Sequence, residues 1–137
     1  MNAPAVDTDI LIRLLTRDDP AKGLATQALF ERVAAGERVV MAPETVIAAA
    51  VFVLSSKRLY DIKPERVAEL LSHVVRLPGF HVRNRGDVLR ALAIFARDRV
   101  DFGDAMIVAS MERAQSTEIF SYDQDFDRFP HFTRHEP

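Results

Sequence analysis

Apolar positions along the chain alternate between short extended runs and longer stretches at helical spacing. Ala3–Asp7 reads as a short strand. Ile10, Leu11, Leu14 and Leu15 then recur at helical intervals, which predicts a helix over Thr8–Arg17. Asp19-Pro20 opens a second helix with proline at its first position; it carries Leu24, Ala28, Leu29 and Val33 and stops at Gly36. Arg38–Ala42 is a second strand. Pro43 starts a helix to Leu54 that is apolar nearly all round, which predicts burial on every side. Lys63-Pro64 opens a helix to about Leu77, and Pro78-Gly79 ends it. Phe80–Val82 reads as a third strand. Helices follow over Asp87–Asp98, with Val88, Leu89, Leu92 and Phe95 on one face, and over Gly103–Ala114. Glu118–Ser121 is a fourth strand, Gln124–Arg128 a turn of helix, and His131–Arg134 a last short strand.

Strands separated by helices imply crossover connections, a mainly parallel sheet and helices on both of its faces. The sequence contains no repeat, low-complexity tract or linker, so residues 1–137 read as one domain. With 48% apolar and 28% charged residues, the chain has the balance of a folded globular protein. The absence of cysteine excludes disulfides, cysteine zinc sites and thiol catalysis. The four histidines do not cluster, and histidine metal binding is not expected. The longest apolar run, Val46–Leu54, is too short to span a bilayer, and no secretory signal is evident. The expectation is a soluble, cytoplasmic protein that does not engage membranes.

The charge is uneven. Net charge is −2 over residues 1–54, +5 over 55–100 and −5 over 101–137. A basic middle between acidic ends suits a protein that meets phosphates while holding a metal among carboxylates, although solvated helix faces give the same pattern. In parallel sheets, sites usually lie beyond the carboxyl ends of the strands. Asp7 ends the first strand and Asp123 follows the fourth, while Asp101 and Asp104 stand at the start of the Gly103–Ala114 helix. Gathered carboxylates repel one another unless a cation sits among them, and hard divalent ions prefer such oxygen donors. Each acid also has a plain structural role open to it: Asp7, Asp101 and Asp123 stand where helix caps are expected, and Asp104 suits a first helical turn.

Three segments carry a resemblance to a known family. Val6-Asp7-Thr8-Asp9, with the following run Arg13-Leu14-Leu15-Thr16-Arg17-Asp18-Asp19-Pro20, resembles the V-D-T-N and R-x-L-T-x-D-D-P opening of PIN-domain ribonucleases, in particular the VapC toxins. Asp101-Phe102-Gly103-Asp104-Ala105-Met106-Ile107 resembles their D-F-x-D-A-x-I, and Ser121-Tyr122-Asp123-Gln124-Asp125-Phe126 their [ST]-x-D-x-D-F. The three stand in the family's order and cover essentially the whole chain. The resemblance implies a three-layer αβα sandwich around a mainly parallel, roughly five-stranded sheet. It also implies an endoribonuclease that uses Mg2+ or Mn2+ and an activated water. By position, Asp7, Asp104 and Asp123 match its catalytic, metal-site aspartates, with Asp101 a less constant further ligand. Thr8, Asp9 and Ser121 match supporting positions, and Asp125 matches an acid whose expected role is structural. The resemblance further implies an RNA substrate, a VapB-like antitoxin and a homodimer, with Ile12, Leu15 and Phe52 open to such contacts or to the core.

Two positions depart from the pattern. Asp9 stands where the family usually has asparagine. More consequentially, Ala49 stands where a glutamate is expected in A-E-x-V-x-V-L, here Ala48-Ala49-Ala50-Val51-Phe52-Val53-Leu54. Glu44 lies five residues earlier, roughly 140° around the helix, and does not replace it. Ala49 reads either as a deliberate disarming of a toxic nuclease, the favoured explanation, or as the mark of a naturally weakened, RNA- or protein-binding relative. Arg83, Arg85 and Arg90, followed by Arg97 and Arg99, are the candidates for RNA phosphates, with solvated charge as the plain alternative. Tyr60 and Phe80 are candidates for base stacking or for core. A phosphotransferase of the haloacid-dehalogenase type also begins D-x-D, as Asp7-Thr8-Asp9 does, but needs a later lysine, and none follows Lys63.

Overall fold

The computed structural model describes residues 2–137. Six helices are joined by short strands: α1 (Thr8–Thr16), α2 (Pro20–Ala34), β1 (Val40–Ala42), α3 (Glu44–Ser55), α4 (Pro64–Val75), β2 (Phe80–Val82), α5 (Arg85–Asp98), α6 (Phe102–Ala114), β3 (Glu118–Phe120), a 3₁₀ turn (Gln124–Arg128) and β4 (Thr133–His135). The chain divides into two compact units, Met1–Arg85 and Gly86–Pro137.

In the first unit, β1 pairs in parallel with β2, Val40 opposite Phe80 and Ala42 opposite Val82. The strand expected over Ala3–Asp7 contracts to a single parallel bridge between Ala5 and Met41. Two bonds make it: Val6 N–H donates to Met41 O at 2.9 Å, and Met41 N–H to Pro4 O at 2.9 Å. Extension fails at both ends for local reasons. Pro4 has no N–H, and by Asp7 the chain is already turning into α1. α1 packs on α2 and α3, and α3 on α4 and β1. Leu11, Ile47, Leu54, Leu71 and Phe80 are sealed in the core, and the rings of Phe30 and Phe80 stand 6.3 Å apart. Phe80 is therefore core and not a stacking platform.

α3 is less enclosed than its composition predicts. Ile47, Ala50, Val51 and Leu54 are buried, but Phe52 is 71% exposed. The helix packs one face onto its neighbours, and an all-apolar sequence has no polar stripe to mark the other face. Ile12, by contrast, is core.

In the second unit β3 pairs in parallel with β4, Glu118 opposite Thr133 and Phe120 opposite His135. A parallel pair needs a crossover, and the connection through the 3₁₀ turn is about the shortest that suffices. α5 and α6 are tied by the buried carboxylate of Asp87, which accepts from Arg113 Nε at 2.8 and 3.0 Å. The edge-on rings of Phe95 and Phe102 close the same pair of helices. The pairings are thus two parallel two-stranded sheets, and a continuous five-stranded sheet is not among them in the described residues. No helix of the described residues is long and apolar enough to cross a membrane.

Gly79 is fixed by close approach. Its N–H donates to Val33 O at 3.0 Å, and its carbonyl accepts from Val40 N at 2.9 Å. A Cβ there would collide with the carbonyl oxygens of Arg38 and Val33, both backbone atoms that cannot swing away. Gly79→Ala is expected to destabilise the fold by about 3 kcal/mol, the upper range of overpacking costs, whereas Gly86→Ala, which meets nothing, is expected to be near neutral. Urea titration of both variants checks this.

Candidate metal centre

The D-F-x-D and S-x-D-x-D segments both fall in the second unit. Asp101 is the N-cap residue of α6, with extended ψ but no side-chain cap bond, and Asp104 lies in the first turn of the same helix. Across from them, β3 ends at Phe120 and the chain bends through Ser121 and Tyr122 into the 3₁₀ turn. Three local bonds shape that bend. Asp123 N–H donates to Ser121 Oγ at 3.0 Å, Asp125 N–H to Asp123 Oδ1 at 2.8 Å, and Arg134 Nη1 to Ser121 O at 3.0 Å. Ser121 and Asp123 thus orient each other through the backbone, as short polar side chains do in turns.

The result is a group of three carboxylates. One oxygen each from Asp104, Asp123 and Asp125 lie within 4.8 Å of one another, and among the described residues no other acid or histidine group does this. Asp104 is the least exposed of the three. Its burial raises its pKa above the ordinary carboxylate value; the charges of Asp123, Asp101 and Asp125, and a hydrogen bond with Asp123, push the same way. Two arginines border the group: Arg128 Nη2 stands 3.8 Å from Asp125, and Arg134, mostly buried, is held by Asp127 at 3.0 Å and adds its charge toward Asp123.

An all-oxygen donor set suits Mg2+ or Mn2+ and not zinc or copper. Ligand oxygens around Mg2+ are about 3–4 Å apart given bonds near 2.1 Å, so small side-chain rotations close a 4.8 Å span to that size. The residues present fit a hard divalent cation. Asp125, expected to be structural, is a member of this group, while Asp101 stands outside the three and acts on Asp104 as a neighbouring charge. The signal for Asp125 was its i,i+2 spacing from Asp123 within one tight turn.

The remaining site candidates, Arg90 apart, lie in the first unit. Asp7 is the N-cap of α1, its Oδ1 accepting from Ile10 N at 3.1 Å, which leaves the second oxygen for another partner. Thr8 begins the helix. Asp9 is exposed, and Arg13 one turn later faces it, Nε to Oδ1 at 3.4 Å. Arg13 also donates to Asp18 at 2.9 Å, and the Tyr60 hydroxyl donates to Asp18 at 2.5 Å. Tyr60's bond, ahead of Arg13's, lowers the Asp18 pKa and in turn raises that of Tyr60. Asp19 caps α2 by accepting from Lys22 N at 3.1 Å. The opening motif therefore has a structural use, and Tyr60 is committed to it. Ala49 sits half-buried in α3, and Glu44 on the same helix accepts from Asn84 Nδ2 at 3.1 Å. Arg83 and Arg85 are exposed. Arg90 is held by both oxygens of Glu112 at 3.1–3.2 Å.

With both acidic motifs and the opening segment in place, the family follows. The chain belongs to the PIN domain family, matching it from residue 5 to residue 131, across both units. PIN domains are α/β proteins, generally metal-dependent nucleases, and usually bind divalent ions such as Mg2+. Comparison with individual curated proteins gives no significant match.

The raised pKa of Asp104 fixes the sign of a pH effect. A carboxyl whose folded pKa exceeds its unfolded value favours the fold at low pH, and that stability is lost as pH rises through the folded pKa. The metal-free protein is therefore expected to lose stability from the ordinary aspartate range upward until Asp104 is ionised, and Mg2+ to restore it above that range. Asp104→Asn is expected to flatten this dependence and weaken Mg2+ binding at least about tenfold. Thermal melts across pH in EDTA and in Mg2+ check both.

Proposed function

We propose that residues 1–137 form a single PIN domain that acts as an endoribonuclease of the VapC toxin type, cytoplasmic and neutralised by a VapB-like antitoxin. The observation that carries this is the carboxylate group of Asp104 and Asp123, which puts two separated family motifs at one point. In this reading Asp7, Asp104 and Asp123 are the metal-site aspartates, with Asp101 and Asp125 close enough to contribute. Thr8, Asp9 and Ser121 support them. The working unit in this reading is a homodimer.

A divalent cation, Mg2+ or Mn2+, supplies when bound an acidified water and charge stabilisation for phosphodiester hydrolysis. The protein's part is positional. Asp123 is held by its bond to Ser121 and by the N–H of Asp125, and Asp7 by Ile10 N. Burial and the neighbouring acids hold the Asp104 pKa above the ordinary carboxylate value, so a bound cation would favour its ionised form. Arg83, Arg85 and Arg90 are the phosphate contacts for RNA in this reading. Arg83 and Arg85 are exposed, and Arg90 keeps one terminal nitrogen beyond its bonds to Glu112.

Ala49 is the weak point of the catalyst. A missing carboxylate at a site that must gather positive charge lowers both metal affinity and rate, while alanine in α3 keeps the helix intact. The same residue favours a second reading, a PIN domain that binds RNA or protein without cutting. Ala49→Glu separates the two. With total RNA and Mg2+ or Mn2+, the restored protein is expected to cleave about a hundredfold faster or more, the scale of one electrostatic group at a charged transition state. EDTA or Asp7→Ala is expected to abolish the gain. A folded Ala49→Glu protein that still leaves RNA uncut would replace the nuclease reading with the binding module.

A further inference from the structure

The side chain of Arg134 is 14% exposed, whereas those of Arg90, Arg97, Arg113 and Arg128 are 42–61% exposed. A long charged side chain is seldom withdrawn from water unless its donors are used. Here they are used on one turn of the chain, the turn that carries Asp123 and Asp125.

The placement follows from the strand pairing. β4 runs parallel to β3, with Arg134 opposite Ile119 and His135 opposite Phe120. Just past the end of β3, consecutive residues of β4 take both backbone polar groups of Ser121. Its N–H donates to His135 O at 3.0 Å, and its carbonyl accepts from Arg134 Nη1 at 3.0 Å. The other two nitrogens of that guanidinium run to Asp127, Nε to Oδ1 at 3.0 Å and Nη2 to Oδ2 at 3.3 Å. Ser121 and Asp127 flank Asp123 and Asp125 in the chain. One planar, rigid group therefore ties together the two ends of the turn.

The charge of Arg134 opposes what its geometry favours. A guanidinium beside a cation site repels the cation. Asp127, and Glu136 at 3.8 Å, offset that charge locally. The fork on Ser121 and Asp127 remains as the arginine's contribution. Ordering two carboxylates in advance removes a cost that a cation would otherwise meet on binding.

We propose that Arg134 is a positioning residue for the cation site: it braces the turn so that the carboxylates of Asp123 and Asp125 stand within reach of Asp104 before a cation arrives. The brace outweighs the repulsion of its own charge. The inference rests on the reading of Asp104, Asp123 and Asp125 as a divalent-cation site.

The test is Mn2+ alone, titrated into the full chain while the free ion is followed by electron paramagnetic resonance. Charge and brace predict opposite signs. A residue acting through its charge makes Arg134→Gln bind Mn2+ more tightly. A brace makes Arg134→Gln bind about tenfold more weakly, the scale at which partners of metal ligands act. Arg134→Lys keeps the charge but not the fork, and is expected to weaken binding in the same direction. In the metal-free protein, hydrogen exchange at the amides of Asp123 and Asp125 is expected to quicken in both variants, with α5 unchanged. Asp127→Asn, at an exposed side chain, loosens the brace from its outer end and is expected to quicken the same two amides, which keeps the proposal open to test should an Arg134 variant not fold. Unchanged or tighter Mn2+ binding by folded Arg134→Gln, full binding by Arg134→Lys, unmoved amides at Asp123 and Asp125, or protection lost equally across α5 would each overturn the proposal. Failure of the unaltered chain to bind Mn2+ is a separate result: it removes the cation site itself, and this inference with it.

Discussion

Like charges brought together with no counter-charge between them are the constraint on which the second unit turns. Asp104 is partly withdrawn from water, and Asp123 and Asp125 stand close enough to oppose its ionisation further. Such a group costs stability on its own and persists only where backbone structure over-determines it. Here the over-determination is visible. Asp104 is fixed by α6, while Asp123 and Asp125 are fixed by a turn in which the Ser121 hydroxyl accepts from Asp123 N–H and the Asp123 carboxylate from Asp125 N–H. Arg134 anchors that turn through the Ser121 carbonyl and lends it positive charge, supported by Asp127. The ordering comes from neutral and cationic groups at the rim, and the centre remains acidic, which is the state a hard cation requires.

Elsewhere acids are used differently. In the first unit the acids of the opening segment are each matched at short range: Asp7 and Asp19 to helix N–H groups, Asp9 to Arg13, Asp18 to Arg13 and Tyr60. The charge of Asp9 therefore meets a cation one turn away. The bonds from Tyr60 and Arg13 lower the pKa of Asp18, whereas burial, with the charges of neighbouring acids, raises that of Asp104. The two shifts run in opposite directions because Asp18 is matched by donors and Asp104 is buried among other acids. At Ala49 neither device operates, because no charge is there to be matched or crowded.

Much of the fold was legible because its signals are local. Pro20 and Pro64 stand at helix starts, Asp19 caps the first of these, and Phe80–Val82 is bounded by the Pro78-Gly79 turn. The ends of α1 and α6 were legible to within one residue although their usual marker is missing. They close on Arg17 and Gln115 in the left-handed region, positions at which glycine is the usual marker and the sequence carries none. The exposed face of α3 was invisible, since an all-apolar helix does not say which side its neighbours cover. The first strand shrank to a bridge because pairing depends on where Met41 lies and not on the residues from Ala3 to Asp7 alone.

The sequence by itself determined the chemistry available. It set a chain without cysteine, acids in three separated motifs in the family's order, and an alanine at position 49. These are covalent facts that no folding alters. Tertiary structure alone decided which acids share a point in space. It joined Asp125 to Asp104 and Asp123, set Asp101 beside them, committed Tyr60 to Asp18, and set Arg134 across the turn between Ser121 and Asp127. The reason is geometric. Distances between residues far apart in sequence follow from how elements pack, and the electrostatic consequences of those distances fall off steeply beyond a few ångströms in a screened medium.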